Sequence, residues 1–331
     1  MFGLYRTVLA IFVVLGHLGS APYIGAYSVF GFYILSGYLM TRIMKKSYGY
    51  HITGVTKYFT NRFLRIFPLY WFSIALSFVL ILFLSEKTSL IISEAIFLPQ
   101  SINDVLRNLF IVFSIDSEPR LTPPSWALTV ELFYYIIIAF GFSKNKNITL
   151  IWFFFSALYT IYLLLGQASF SYRYFTIPAA SLPFSLGSLI FFITEKKRTR
   201  NIYLNSKLIF IPLLLISNYL FTNISSSFGF YINLFLFAYL VYHLSLLSIK
   251  PLLKYDIFIG NLSYPLYLLH YQCGIIISVI FSVSGINLYK GDFVFFATSL
   301  ILCLVISYIT ASSIENKIEL LRNKIRPQQP N

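Results

Sequence analysis

Arg6 and His17 bracket a stretch, TVLAIFVVLG, that otherwise reads as lipid-soluble. On a helix, eleven steps complete three turns plus roughly 20°, so both side chains project from one face, about 16 Å apart along the axis. Two ionisable groups inside an apolar segment are costly unless they face a protein interior or a water-filled cavity, which makes them a candidate functional site. The alternative is an Arg6 that snorkels to the headgroups and a hydrogen-bonded interior His17.

Other polar groups stand where lipid does not explain them. Arg62 and Arg65, in TNRFLRIFPLYW, are three apart and share a helix face; two guanidiniums on one face can clamp phosphate oxygens bidentately. Simple retention of positive charge at a membrane boundary would also place them there. Glu131, in PPSWALTVELFYY, falls about seven residues into a helix entering from outside, near 10 Å deep. A carboxylate at that depth must be protonated, paired or open to a cavity, and His17 and Arg6 are its candidate partners. His270, in the proline-interrupted GNLSYPLYLLHYQ, is expected at a depth close to that of His17. It either helps to bind an acceptor or is a satisfied interior group. Ser36, followed by Gly37 in FGFYILSGYLM, lies on the same acceptor side or serves helix packing alone. His51 and His243 suggest no role.

The elements that position these groups follow from composition. With 58% hydrophobic, 19% aromatic and 11% charged residues, and a mean hydropathy of +0.76, the chain has too little polar surface to cover a water-soluble core. It reads as an all-α integral membrane protein. Apolar runs of spanning length fall near 4–20, 27–44, 67–85, 123–142, 148–166, 175–194, 207–222, 228–248, 257–281 and 292–313, which predicts ten transmembrane helices. The net charge of +14 reports topology rather than nucleic-acid binding. Most of the 25 basic residues cluster on one side, in Arg42, Lys45, Lys46, Lys57, Arg62 and Arg65, in Lys144 and Lys146, in Lys196–Arg200 with Lys207, in Lys250 and Lys254, and in the C-terminal tail. That side is therefore cytoplasmic, with both termini on it. The other side carries the acidic connection 86–122, with Glu86, Lys87, Glu94, Asp116 and Glu118, where interfacial or re-entrant helices are expected. Residues 1–320 read as one transmembrane domain and 321–331 as a short basic tail. Cys273 and Cys303 lie in apolar runs and read as packing residues. The N-terminal segment reads as a retained first helix rather than a cleaved signal.

Arg6 through His17, FGFYILSGYLM, NRFLRIFPLYW, PSWALTVELFYY and GNLSYPLYLLH stand in an order and spacing that resembles the acyltransferase family 3 membrane proteins, from about residue 3 to the ASSIENKIE stretch at 311–319. Those are bacterial enzymes that O-acylate cell-surface glycans and related molecules, and the resemblance implies a multi-pass protein of the inner membrane. The resemblance implies functional roles for Arg6 and His17, for Arg62 and Arg65, and for Glu131. The chain departs from the family pattern in two places: no acid precedes Arg6, and Glu131 is followed by Leu132 rather than a second glutamate. Without the hydrolase-like domain fused to some members, it is expected to complete transfer alone.

The implied donor is acyl-coenzyme A, with acetyl the commonest group, and no metal is implied. Its polyanionic head would dock against Arg62 and Arg65, with Arg42, Lys45 and Lys46 adding field. The slim pantetheine arm would reach His17, the general base for a hydroxyl of an O-antigen, capsule, exopolysaccharide or other lipid-linked glycan. Glu131 would orient that imidazole, and Arg6 would hold the arm or balance charge. A path through an acylated His17 is the alternative chemistry. A polysaccharide exporter of similar membrane architecture is the alternative function, and a non-catalytic scaffold would leave the buried charges without a purpose.

Overall fold

The computed structural model describes residues 2–84, 98–113, 120–197, 226–247 and 253–326. The expected span at 207–222 lies outside the described residues. So do Arg198, Arg200, Lys207, Lys250 and most of the acidic connection, including Glu86, Lys87, Glu94, Asp116 and Glu118.

The elements are helical: α1 (Phe2–Leu18), α2 (Pro22–Ile43), α3 (Ile52–Leu84), α4 (Ile102–Phe110), α5 (Ser125–Ile137), α6 (Lys146–Leu165), α7 (Phe170–Phe175), α8 (Ser181–Thr194), α9 (Ser226–Ser245), α10 (Leu253–Val283), α11 (Phe293–Thr310) and α12 (Asn316–Ile325). Every other expected span falls on a described helix. Among the described residues, six helical stretches are long and apolar enough to cross a bilayer, and three shorter apolar helices accompany them. Large apolar side chains stay exposed on α3, α6 and α11, among them Leu82, Phe83, Phe154, Phe155, Ile301 and Val305. In water such faces would drive aggregation; in hydrocarbon they are the solvated surface.

The helix α1 is the centre of the packing, with α10 on one side and α2 on the other; α11 lies beyond α10, and α8 then α6 lie beyond α2. The contact with α10 is backbone on backbone. A Cβ on Gly260 would come 2.6 Å from Gly3 Cα, so two glycines let the helices touch. The Asp256 carboxylate then accepts from the Gly3 and Leu4 amides at 3.0 and 2.9 Å. It caps the start of α1 from across the fold, satisfying donors that no α1 carbonyl can reach. Thr7 Oγ1 adds a 2.7 Å bond to the Ile259 carbonyl. These ties set the height and rotation of Arg6.

A second glycine seam joins α2 to α8. A Cβ on Gly37 would lie 2.2 Å from the Phe184 carbonyl oxygen, and one on Gly187 would lie 1.9 Å from that of Ile34. Thr41 Oγ1 donates to Ser188 Oγ at 2.9 Å beside it. Gly37 thus serves close packing, as a small residue in an otherwise aromatic helix suggested. Gly187→Ala should push the helices apart and lower stability by about 1–3 kcal/mol, measured as the thermal midpoint of the purified protein in detergent.

Three elements add to the sequence reading. Hydropathy placed the third span at 67–85 with Pro68 at its start, yet α3 begins at Ile52 and carries Pro68 inside it. Its first turns are amphipathic, with Gly54, Tyr58 and Asn61 buried, so mean hydropathy understates the helix. In the acidic connection, α4 is an amphipathic helix opened by a Ser101–Asp104 capping box, with Ile102, Val105, Leu106, Leu109 and Phe110 exposed along it. Tyr70 and Trp71 of α3 donate to the carbonyls of Asn108 and Leu109, holding α4 at that end of the bundle. Finally, helix continues through Ile325, across the 320/321 boundary. Arg322, only 5% exposed, donates to Asn61 Oδ1 of α3 and to Glu319.

Candidate active site

A cavity of about 140 Å³ opens between α1, α2, α3, α5 and α10, lined by Arg6, Ser36, Arg62, Arg65, Glu131 and Tyr135 among apolar neighbours. Arg62 and Arg65, three apart on α3, point into it together, and Arg6 reaches it from α1. A side chain at position 260 would begin 2.7 Å from Arg6 Nη2, so Gly260 also makes room for the guanidinium.

The partners of these arginines differ. Arg65 Nη1 bridges to Glu315 at 3.0 Å and its guanidinium lies 5.6 Å from the Tyr264 ring centroid. Arg62 donates to Asn61 Oδ1 at 2.7 Å and sits 6.0 Å from the Tyr135 ring centroid. The Nε atoms of Arg6 and Arg62 are buried and have no hydrogen-bond partner among the described residues. Two guanidiniums with orphan donors, facing one small cavity, have the chemistry to hold an anion with several oxygens.

Glu131 is the carboxylate within this cavity. Its Oε1 accepts from Ser36 Oγ and from Tyr135 Oη, both at 2.5 Å. Glu131→Leu should strand two hydroxyls and remove a negative charge from among three guanidiniums, costing about 1–3 kcal/mol; Glu131→Gln, which keeps an acceptor oxygen, should lose less. Thermal unfolding in detergent compares the two.

His17 does not line the cavity. Its Nδ1 lies 2.9 Å from His270 Nε2, and His270 Nδ1 lies 2.8 Å from the Tyr267 carbonyl oxygen. Tyr267 itself lines the cavity, so the histidine pair stands one turn of α10 beyond the cavity wall. His270 is 0% exposed and His17 is only partly buried.

A family model described as an acyltransferase domain matches residues 3–312. The chain belongs to the acyltransferase family 3 membrane proteins. It is a membrane acyltransferase. No curated protein and no solved structure matches it significantly.

Within this acyltransferase, the structure joins some of the residues singled out from sequence and separates others. Arg6, Arg62, Arg65 and Glu131 share one cavity, as does Ser36, which stands with them rather than beside His270. His17 and His270 meet. The expected Glu131–His17 pairing is not made: Glu131 is level with Ser36 on α2 and bonds to hydroxyls instead. The rotation of α5 that turns Glu131 toward Ser36 and the arginines is not encoded in its position along the helix. Arg42, Lys45 and Lys46 do not line the cavity; Arg42 and Lys45 are exposed, and Lys46 pairs with Glu195.

Sequence reasoning missed Tyr135, Asn61, Glu315 and the carbonyl role of Tyr267. Only Tyr135 had a signal, because it lies four residues after Glu131 and therefore on its face.

Proposed function

We propose that this acyltransferase moves an acyl group, acetyl in the simplest case, from cytosolic acyl-coenzyme A to a hydroxyl of a surface polysaccharide or lipid-linked glycan, with His17 as general base. The basic loops favour an orientation in which the Arg62 end of the bundle faces the cytoplasm and His17 faces outward, in a bacterial inner membrane. The observation that carries the reading is the orphaned guanidinium pair, Arg6 and Arg62, in a cavity whose far wall backs onto the His17–His270 pair.

Coenzyme A brings three phosphates, and the cavity supplies planar, many-donor cations suited to them. The Arg6-to-His17 rise of about 16 Å suits a slim pantetheine arm. To travel it, the arm passes the wall where the Phe32 and Tyr267 rings stand 6.0 Å apart. Tyr267 Oη is held by the Pro124 carbonyl, so Phe32 is the ring that turns aside. At His17 Nε2 the acceptor's O–H proton is taken up as its oxygen attacks the thioester carbonyl. The C–S bond then breaks, and the proton goes to the departing thiolate.

The test is purified protein in nanodiscs with labelled acetyl-coenzyme A and a glycan acceptor. Label reaching the glycan with wild type and not with His17→Ala supports the reading. Glycan crossing the bilayer unmodified supports an exporter and overturns it.

A further inference from the structure

We propose that His270 is a positioning residue: it holds His17 in the tautomer whose Nε2 lone pair is free, the place a carboxylate takes behind the histidine of an acyl-transfer triad. The proposal rests on the acyl-transfer reading above.

The argument is one of donors and acceptors. A carbonyl oxygen has no proton to give, so the 2.8 Å contact between Tyr267 O and His270 Nδ1 requires the proton on Nδ1. Neither ring hydrogen-bonds a carboxylate among the described residues, and an uncompensated charge on the fully buried His270 would be costly, so the resting pair is neutral. A neutral His270 protonated at Nδ1 presents a bare Nε2. The 2.9 Å contact from that atom to His17 Nδ1 must then carry its proton on His17. His17 is left with its lone pair on Nε2.

Ring geometry agrees with this assignment. The two ring planes differ by 4° and their centroids are 5.1 Å apart, longer than the N···N distance by about the two ring radii. The imidazoles therefore lie edge to edge in one plane, with the His270 lone pair directed along the His17 N–H. His17, partly exposed, is the ring a substrate can reach; His270, sealed behind it, is not. When His17 Nε2 accepts the hydroxyl proton, the resulting imidazolium is stabilised by His270 Nε2, and the chain of bonds ends on the Tyr267 carbonyl. The first link, that carbonyl, belongs to the cavity wall, so the tautomer is set by backbone rather than by a second acid.

The experiment compares full-length wild type, His270→Leu, His270→Gln and His17→Ala in the labelled acetyl-coenzyme A assay, with KM for the donor and thermal midpoint recorded for each. Glutamine places an amide oxygen near the position of His270 Nε2, where it accepts from His17 but cannot itself titrate. The leucine variant should lose about 100-fold or more in kcat with donor KM little changed, and glutamine should recover to within roughly 10-fold of wild type. Should the leucine variant fail to fold, His270→Asn, whose amide stops short of His17, takes its place. Equal loss in both variants, or wild-type turnover without an acceptor at 270, overturns the proposal. Wild-type turnover by His17→Ala overturns the reading of His17 itself, a separate result.

Discussion

Replacing His17 by alanine should lower kcat for acyl transfer by about 10³-fold and leave the donor KM within a few-fold of wild type. The reasoning is spatial. His17 sits one turn of α10 beyond the wall of the arginine-lined cavity, bonded to His270 and to none of the arginines, so removing its ring does not disturb the anion site. A group that acts only on the travelling proton affects the transition state and not the bound donor. Steady-state kinetics over donor concentration separate the two. A matching loss in KM would place His17 in donor binding instead.

Replacing Arg62 should give the opposite division. Arg62→Ala should raise the donor KM by about 10- to 100-fold, the equivalent of one or two charge-assisted hydrogen bonds, with kcat at saturation nearly kept. Arg62 is the better choice over Arg65, whose guanidinium is already engaged by Glu315. Arg62→Lys should fall between, because an ammonium keeps the charge but lacks the fork that faces the cavity. The same kinetics read it, and the wild-type donor KM should rise with added salt more steeply than that of Arg62→Ala.

How much of this was visible beforehand depends on the kind of fact. Helix positions were legible because a bilayer demands long apolar runs, and these appear directly in the residue order. The shared cavity of Arg62 and Arg65 was legible because their spacing fixes a common face whatever the tertiary fold. The partners of Glu131 were not. A residue's depth follows from its place along a helix, but its azimuth depends on how α5 turns against α2, and no local pattern encodes that. The docking of Arg322 on Asn61 was hidden for a related reason: a basic amphipathic segment reads as a solvated tail until its buried acceptor, more than 250 positions away, is known.

The tie between Asp256 and the first amides of α1 orders events in time as well as space. A ribosome delivers Arg6 to the membrane long before it makes the carboxylate that seats the helix carrying it, and non-local contacts of this kind close last. The early chain is an inserted but unfinished bundle, with the leading turn of α1 uncapped and one wall of the arginine chamber missing. On the function proposed above, the candidate site is complete only once the 253–283 segment has emerged, late in synthesis.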